Sequence, residues 1–146
     1  MTVTNEVPQA PEKPQRCVIV VDSALPPGKA ANAAAVIALT IGQRHPGLVG
    51  APLIDGSGHA HPGLIPIGIT VLAASQEELS SVRARGVAAE CDIVDFPAQG
   101  QETTNYKAFS DVVATVPGDA LRYVGVALIG ERKPISKVVA NLGLLK

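Results

Sequence analysis

Five apolar residues stand in a row at Cys17, Val18, Ile19, Val20 and Val21. A mostly β-branched run with no polar alternation predicts a strand covered on both faces. It ends at Asp22, and the segment 23–28, with Pro26, Pro27 and Gly28, cannot be helix interior and reads as a turn. From Lys29 to Arg44 an alanine-rich stretch is apolar nearly all round, which predicts a helix lying close against a sheet. Residues 45–66 carry four prolines and five glycines. This is too long for a plain connection, and such segments are usually functional or disordered. Residues 65–72 predict a second strand. Ser75 and Glu78 form a capping box opening a helix that runs to Gly86. A third strand is expected over 91–96, followed by a turn over 97–100. Thr103 or Thr104 is expected to cap a helix carrying Tyr106, Phe109, Val113 and Val116 on one side. Pro117, Gly118 and Asp119 break it. A fourth strand over 122–129 and a helix over 134–142 complete the chain.

The order β-α-β-α-β-α-β-α predicts an α/β fold, a three-layer sandwich with helices on both faces of the sheet. Residues 1–16, with Pro8, Pro11 and Pro14 among polar neighbours, read as a flexible N-terminal tail before a single α/β domain over 17–146. With 146 residues the chain has the size of one ordinary domain. At 47% hydrophobic and 17% charged it is expected to build its own apolar core. The net charge of −1 offers no basic face for nucleic acid, so nucleic acid is not an expected partner. With 3% aromatics and no Trp, a base-stacking platform is not expected either. Cys17 and Cys91 are far apart and have no zinc spacing, so they read as small hydrophobes. The first residues lack the apolar core of a signal peptide, and residues 30–42 are too short to span a bilayer. A cytoplasmic protein without membrane or cofactor is the expectation.

Candidate chemistry gathers at the expected sheet end. Gly28 and Lys29 stand between a buried strand and a helix start, where open α/β sheets bind ligands. The pattern is not a phosphate-binding P-loop, because Ser23 and Ala30 stand where that loop needs glycine and a hydroxyl. Asp22 and Asp95 lie at or near strand ends. They read either as turn formers or as carboxylates sharing a rim with Lys29, where a Lys–Asp pair orients a water and steadies an oxyanion. All three histidines, His45, His59 and His61, fall in the 45–66 segment with Asp55. In extended backbone His59 and His61 share a side, a spacing open to a metal, to a solvated turn, or to a substrate-binding lid reaching Lys29. No metal site is assigned, because a closed one would need further ligands.

The segments 18–21 and 27–31 resemble the opening of the second-type peptidyl-tRNA hydrolases, an apolar strand leading into a Gly-Lys helix start with small residues. The end is similar too, in Val124-Gly125-Val126-Ala127-Leu128-Ile129-Gly130, Ile135-Ser136-Lys137-Val138 and Leu142-Gly143-Leu144-Leu145. Ile93-Val94-Asp95 resembles the family's central Ile-x-Asp. The chain looks like a member of an uncharacterised, domain-of-unknown-function branch sharing that fold. The resemblance implies a mixed four-stranded sheet between helices and a homodimer. It also implies a hydrolytic site with Lys29 and Asp95 catalytic, to which the reading of the residues adds Asp22, Gly28, His59, His61, Thr103 and Thr104 as candidates for binding a small ester or amide. The family's polar helix positions fall on Ala33 and Val36, and its Gly-Arg-Thr is not reproduced in residues 96–100. Peptidyl-tRNA turnover is therefore expected to be weak or absent. The rival readings are a peptidyl-tRNA hydrolase proper and a non-enzymatic small-molecule-binding or oligomerisation module.

Overall fold

The computed structural model describes residues 13–99 and 101–146. Most of the expected N-terminal tail, and Gly100 of the expected turn, therefore lie outside the described residues. Strand β1 (Arg16–Asp22) sits at the centre of the main sheet, and its residues 17–21 are all at most 2% exposed. Full burial of each such side chain contributes about 1.5–3 kcal/mol, which makes this run the anchor of the fold. Helix α1 (Pro27–Arg44) follows with Pro at its start, where the missing N–H has no partner to lose. Its buried residues Ala30, Ala33, Ile37 and Ile41 form one stripe against the sheet.

The 45–66 segment is not a structureless loop. It contains a small antiparallel hairpin, β2 (Leu53–Ile54) with β3 (Ala60–His61). Asp55 shapes the turn: its Oδ1 accepts from the N–H groups of Ser57 at 2.9 Å and His59 at 3.0 Å, and Gly58 takes a φ of +85°. At the base of the hairpin Gly50 N–H donates to Leu64 O, and a Cβ on Gly63 would sit 1.9 Å from Gly50 O. Only glycine lets the two arms cross there.

Strand β4 (Thr70–Ala74) begins later than the expected 65–72, because Pro66 and the turn at Gly68 (φ +71°) hold the preceding residues out of the ladder. Helix α2 (Gln76–Ala88) has both bonds of the Ser75–Glu78 capping box. Its far end closes with Cys91 N–H on Gly86 O and Glu90 N–H on Val87 O. Glu90 is left in the left-handed region at φ 62°. After β5 (Asp92–Pro97) comes α3 (Tyr106–Ala114), capped by Asn105 Oδ1 accepting from Ala108 N–H at 2.8 Å, not by Thr103 or Thr104. The cap falls where its side chain reaches the third helical N–H, one residue beyond the threonines. Strand β6 (Tyr123–Gly130), helix α4 (Arg132–Val138) and β7 (Gly143–Leu144) finish the fold, with α4 shorter than the expected 134–142.

The sheet has five strands, not four, in the order β5-β6-β1-β4-β7. The extra strand is two residues long, Leu144 opposite Leu72 and Gly143 opposite Ala73, too short to leave a pattern in the sequence. β1 and β4 run parallel, β6 runs antiparallel to both β1 and β5, and β7 closes the far edge antiparallel. The ends of β1, β4 and β5 therefore lie at one rim, where α1 begins. One face packs Cys17, Ile19, Val21, Val94 and Ala127 on α1. The other packs Val18, Val20, Val126 and Leu128 on α2 and α4.

Candidate functional site

Asp22 ends β1 with both carboxylate oxygens occupied. Oδ1 accepts from Ala24 N–H at 2.9 Å and Oδ2 from Gln76 Nε2 at 2.8 Å. Gln76 in turn brackets the backbone of Tyr123, so Asp22 ties the rim together as a turn former. Gly28 is exposed at the start of α1, with open space where a Cβ would be. Lys29 is exposed beside it, and its ammonium has no hydrogen-bond or ion-pair partner among the described residues.

Asp95 takes another direction. Side chains alternate along a strand. Val94 and Phe96 pack on the α1 face, whereas Ile93 packs on the α2 face, and Asp95 shares that second face. Its Oδ2 accepts from Arg83 Nε of α2 at 2.7 Å, and the same guanidinium stacks over the Tyr123 ring. The carboxylate of Asp95 and the ammonium of Lys29 are thus presented on opposite faces of the sheet. No contact joins them.

His59 and His61 stay with their hairpin. Asp55 Oδ2 lies 2.8 Å from His61 Nε2 and 3.6 Å from His59 Nδ1, and both rings are more than half exposed. Hydrogen bonds from His61 first, then the His59 and Ser57 N–H groups, hold the Asp55 carboxyl below the ordinary carboxylate range. The hairpin is rooted beyond Arg44, the end of α1 away from Lys29. His45 belongs to that end as well: with Arg44 it holds Asp92, His45 Nε2 at 2.6 Å and Arg44 Nε at 2.9 Å from the same Oδ2. Among the described residues no three His, Cys, Asp or Glu side chains are placed to hold a metal ion. Burial pushes the Cys17 thiol up to about 11, which removes it from thiolate chemistry at neutral pH.

The feature that sequence reasoning missed is a cleft between α1, β5 and α3. It has a volume of about 280 Å3 and is lined by Val36, Ile37 and Thr40 of α1, Val94 through Pro97 of β5, and Tyr106 and Phe109 of α3. Phe96 and Phe109 meet edge-to-face with centroids 6.0 Å apart. The volume lies near the lower end of small-ligand sites. A larger hollow of about 500 Å3, between α2 and α4, is a shallow trough on the outer surface lined by Arg85, Lys133 and Lys137. It is the less enclosed of the two. The aromatic cluster was visible in the sequence as Tyr106 and Phe109 on one helix side. Its pairing with Val36 and Thr40, some seventy residues away, was not.

Lys29 does not line the cleft, but it shares a flank of α1 with two residues that do. Positions 29, 36 and 40 share one flank of α1, since seven residues at 100° each fall about 20° short of two turns. Lys29 therefore stands about 10 Å along the helix from Val36, on the side of the cleft nearer the rim.

These features define a mixed α/β sandwich with an apolar cleft on one face and, on the flank of α1 nearer the rim, Lys29 without an ion-pair partner among the described residues. The chain belongs to the family described as protein of unknown function (DUF2000), whose model matches residues 15–146. A solved structure with the same fold is that of a protein of unknown function, Atu0240, from Agrobacterium tumefaciens strain C58. It is 22% identical, covers 88% of this chain and 96% of its own, and has a TM-score of 0.80. No curated protein matches the chain. No helix among the described residues is long and apolar enough to cross a membrane.

Proposed function

We propose that this protein binds a small molecule in the cleft between α1, β5 and α3. The observation that carries the reading is the cleft's composition: Phe96, Phe109, Tyr106, Val36 and Pro97 surround a space that the side chains of the described residues leave unfilled. Small-ligand sites are concave and mostly apolar, with few polar groups to orient the ligand. Thr40 and the nearby Lys29 are such groups. The apolar character of Val36, at a polar position of the resembled hydrolases, supports a small ligand over peptidyl-tRNA, as does the net charge of −1. The proposal includes a cytoplasmic protein that works as a homodimer. The test is a two-dimensional NMR screen of isotope-labelled protein against a chemically mixed fragment panel. Shifts confined to Val36, Thr40, Phe96 and Phe109 are expected, and a panel that leaves these signals unmoved would refute the reading.

A second reading, hydrolysis of a small ester or amide, is favoured by the unpartnered Lys29, an ammonium free to stabilise a developing oxyanion. Asp95, whose Oδ2 accepts from Arg83 Nε on the other face of the sheet, would have to reach a water shared with Lys29 around the rim. Turnover of p-nitrophenyl esters that is abolished in Lys29→Ala would support this reading. Turnover equal to that of buffer alone would end it.

A further inference from the structure

We infer that the cleft takes a small aromatic carboxylate, with the ring against the Phe96–Phe109 pair and the carboxylate toward Lys29, and that α3 closes over it. The inference rests on the cleft reading above and names its ligand class. Two of the lining rings, Phe96 and Phe109, already stand in edge-to-face geometry, and a third, Tyr106, is 86% exposed at the mouth. A flat ring inserted there gains aromatic contacts that a branched aliphatic group would not. The volume of about 280 Å3 limits the ligand to one or two fused rings.

The charge argument concerns Lys29. The residues lining the cleft include no arginine and no lysine, and Lys29, on the same flank of α1 as Val36 and Thr40, has no carboxylate partner among the described residues. One compact positive charge suits a monoanion. A phosphate group calls for the forked donors of arginine or for several cations together. Asp95 does not oppose the ligand's charge from within, because its carboxylate is held by Arg83 on the other face of the sheet.

The lid follows from how α3 is held. Tyr106, Phe109 and Val113 lie along one side of the helix, yet no residue of α3 is fully buried and the helix packs only lightly on the rest of the fold. Its ion pair, Lys107 with Asp111, is internal to the helix and anchors it to nothing else. An apolar side that the protein core leaves half covered is completed by a ligand ring, and ordering it on binding is the expected consequence.

The experiment titrates the full chain with 2-naphthoic acid and, separately, with its neutral analogue 2-naphthamide, following the cleft signals by NMR and amide exchange across Tyr106–Ala114. Naphthoate should bind, slow exchange in α3, and lose about fivefold in affinity in Lys29→Gln. Naphthamide should bind more weakly than naphthoate, with no change in that variant. Equal binding of acid and amide, or an acid affinity untouched by Lys29→Gln, would overturn the carboxylate assignment while leaving the cleft reading intact. Unchanged exchange in α3 at saturation would overturn the lid. Cleft signals that instead move on dilution of the protein alone would identify a second copy as the occupant and overturn the inference. Silence from both compounds in a cleft that other fragments occupy would overturn only the ligand class. Silence from every fragment would overturn the cleft reading itself.

Discussion

Helices α2 and α3 have similar sequence credentials and opposite fates. Each starts at a side-chain cap, Ser75 for α2 and Asn105 for α3, and each is short. α3 is the more sharply two-faced of the pair. Yet α2 buries Leu79, Val82 and Gly86, with Leu79 at 0% exposure, while α3 buries nothing completely. The difference lies in what stands opposite. α2 has the full width of β1, β6 and β5 to pack on, and Arg83 ties it to Asp95 at the edge strand. α3 has only the margin beyond β5, where Phe96 offers one ring. Amphipathicity states that a face needs cover. It does not say that the chain itself supplies it.

The largest expected effect separates the two helices directly. Leu79→Ala removes a fully buried side chain from the α2 face and should cost about 2–5 kcal/mol. Phe109→Ala, half-buried in α3, should cost about 1 kcal/mol despite the larger side chain. Urea unfolding measures both. Equal losses would mean that α3 is part of the core and that the contrast is false.

Gly86→Ala comes next. A Cβ at this position would lie 2.3 Å from Leu128 Cδ2 and 2.8 Å from Ile93 Cδ1, so those side-chain ends must repack or α2 must shift off the sheet. Overpacking of this kind costs about 1–3 kcal/mol. A neutral result in the same unfolding assay would show that α2 packs with more slack than its burial suggests.

The same two helices show how far the sequence could be read. The unbroken run at 17–21, the alanine-rich stretch before Arg44 and the Ser75–Glu78 box each carry their signal within a few residues, and each element formed where expected. What was missed depends on partners distant in sequence. β7 is two residues long and exists only because Leu72 and Ala73 are there to pair with it. The hairpin at 53–61 has its turn chemistry in Asp55 and Gly58, but its strands are too short for alternation to show. For the candidate site, Lys29 drew notice from its place between strand and helix, and it shares a flank of α1 with the cleft residues Val36 and Thr40. Asp95 was read for its strand-end position. Counting alternate residues from Val94 and Phe96 would have placed it on the other face, since strand period alone decides that.

The caps sharpen the comparison further. Ser75→Ala removes one partner of a capping box in a helix that unfolds with the core, so about 1 kcal/mol should appear in the global transition. Asn105→Ala removes a similar bond from a helix that the core barely holds. Its loss should appear as faster amide exchange within α3, with the global midpoint nearly unmoved. A full shift of the midpoint by Asn105→Ala would merge α3 with the cooperative unit.

The smallest effect is electrostatic and concerns the ties that α3 lacks. Asp92, at the start of β5, accepts both Arg44 Nε at 2.9 Å and Arg44 Nη2 at 2.6 Å from the end of α1. The Arg44 hydrogen bond holds its carboxyl below the ordinary carboxylate range. Partial burial pulls the other way, and His45 adds to the lowering. A carboxyl whose folded pKa is depressed contributes stability at pH values above its ordinary value of about 4. That contribution is lost as the pH falls through the lower, folded value. Arg44 is half exposed, so screening keeps the contribution below those of the caps. Arg44→Met should therefore lower the melting temperature slightly at pH 7, and the gap to the native chain should narrow as the pH falls below about 4. Raising the salt concentration at pH 7 should narrow it in the same way. Amide exchange in α3 should be the same in both proteins at each pH, because its own ion pair, Lys107 with Asp111, is internal to the helix. A variant whose deficit persists undiminished to pH 2 would owe its loss to the packing of the arginine stem and not to the Asp92 charge.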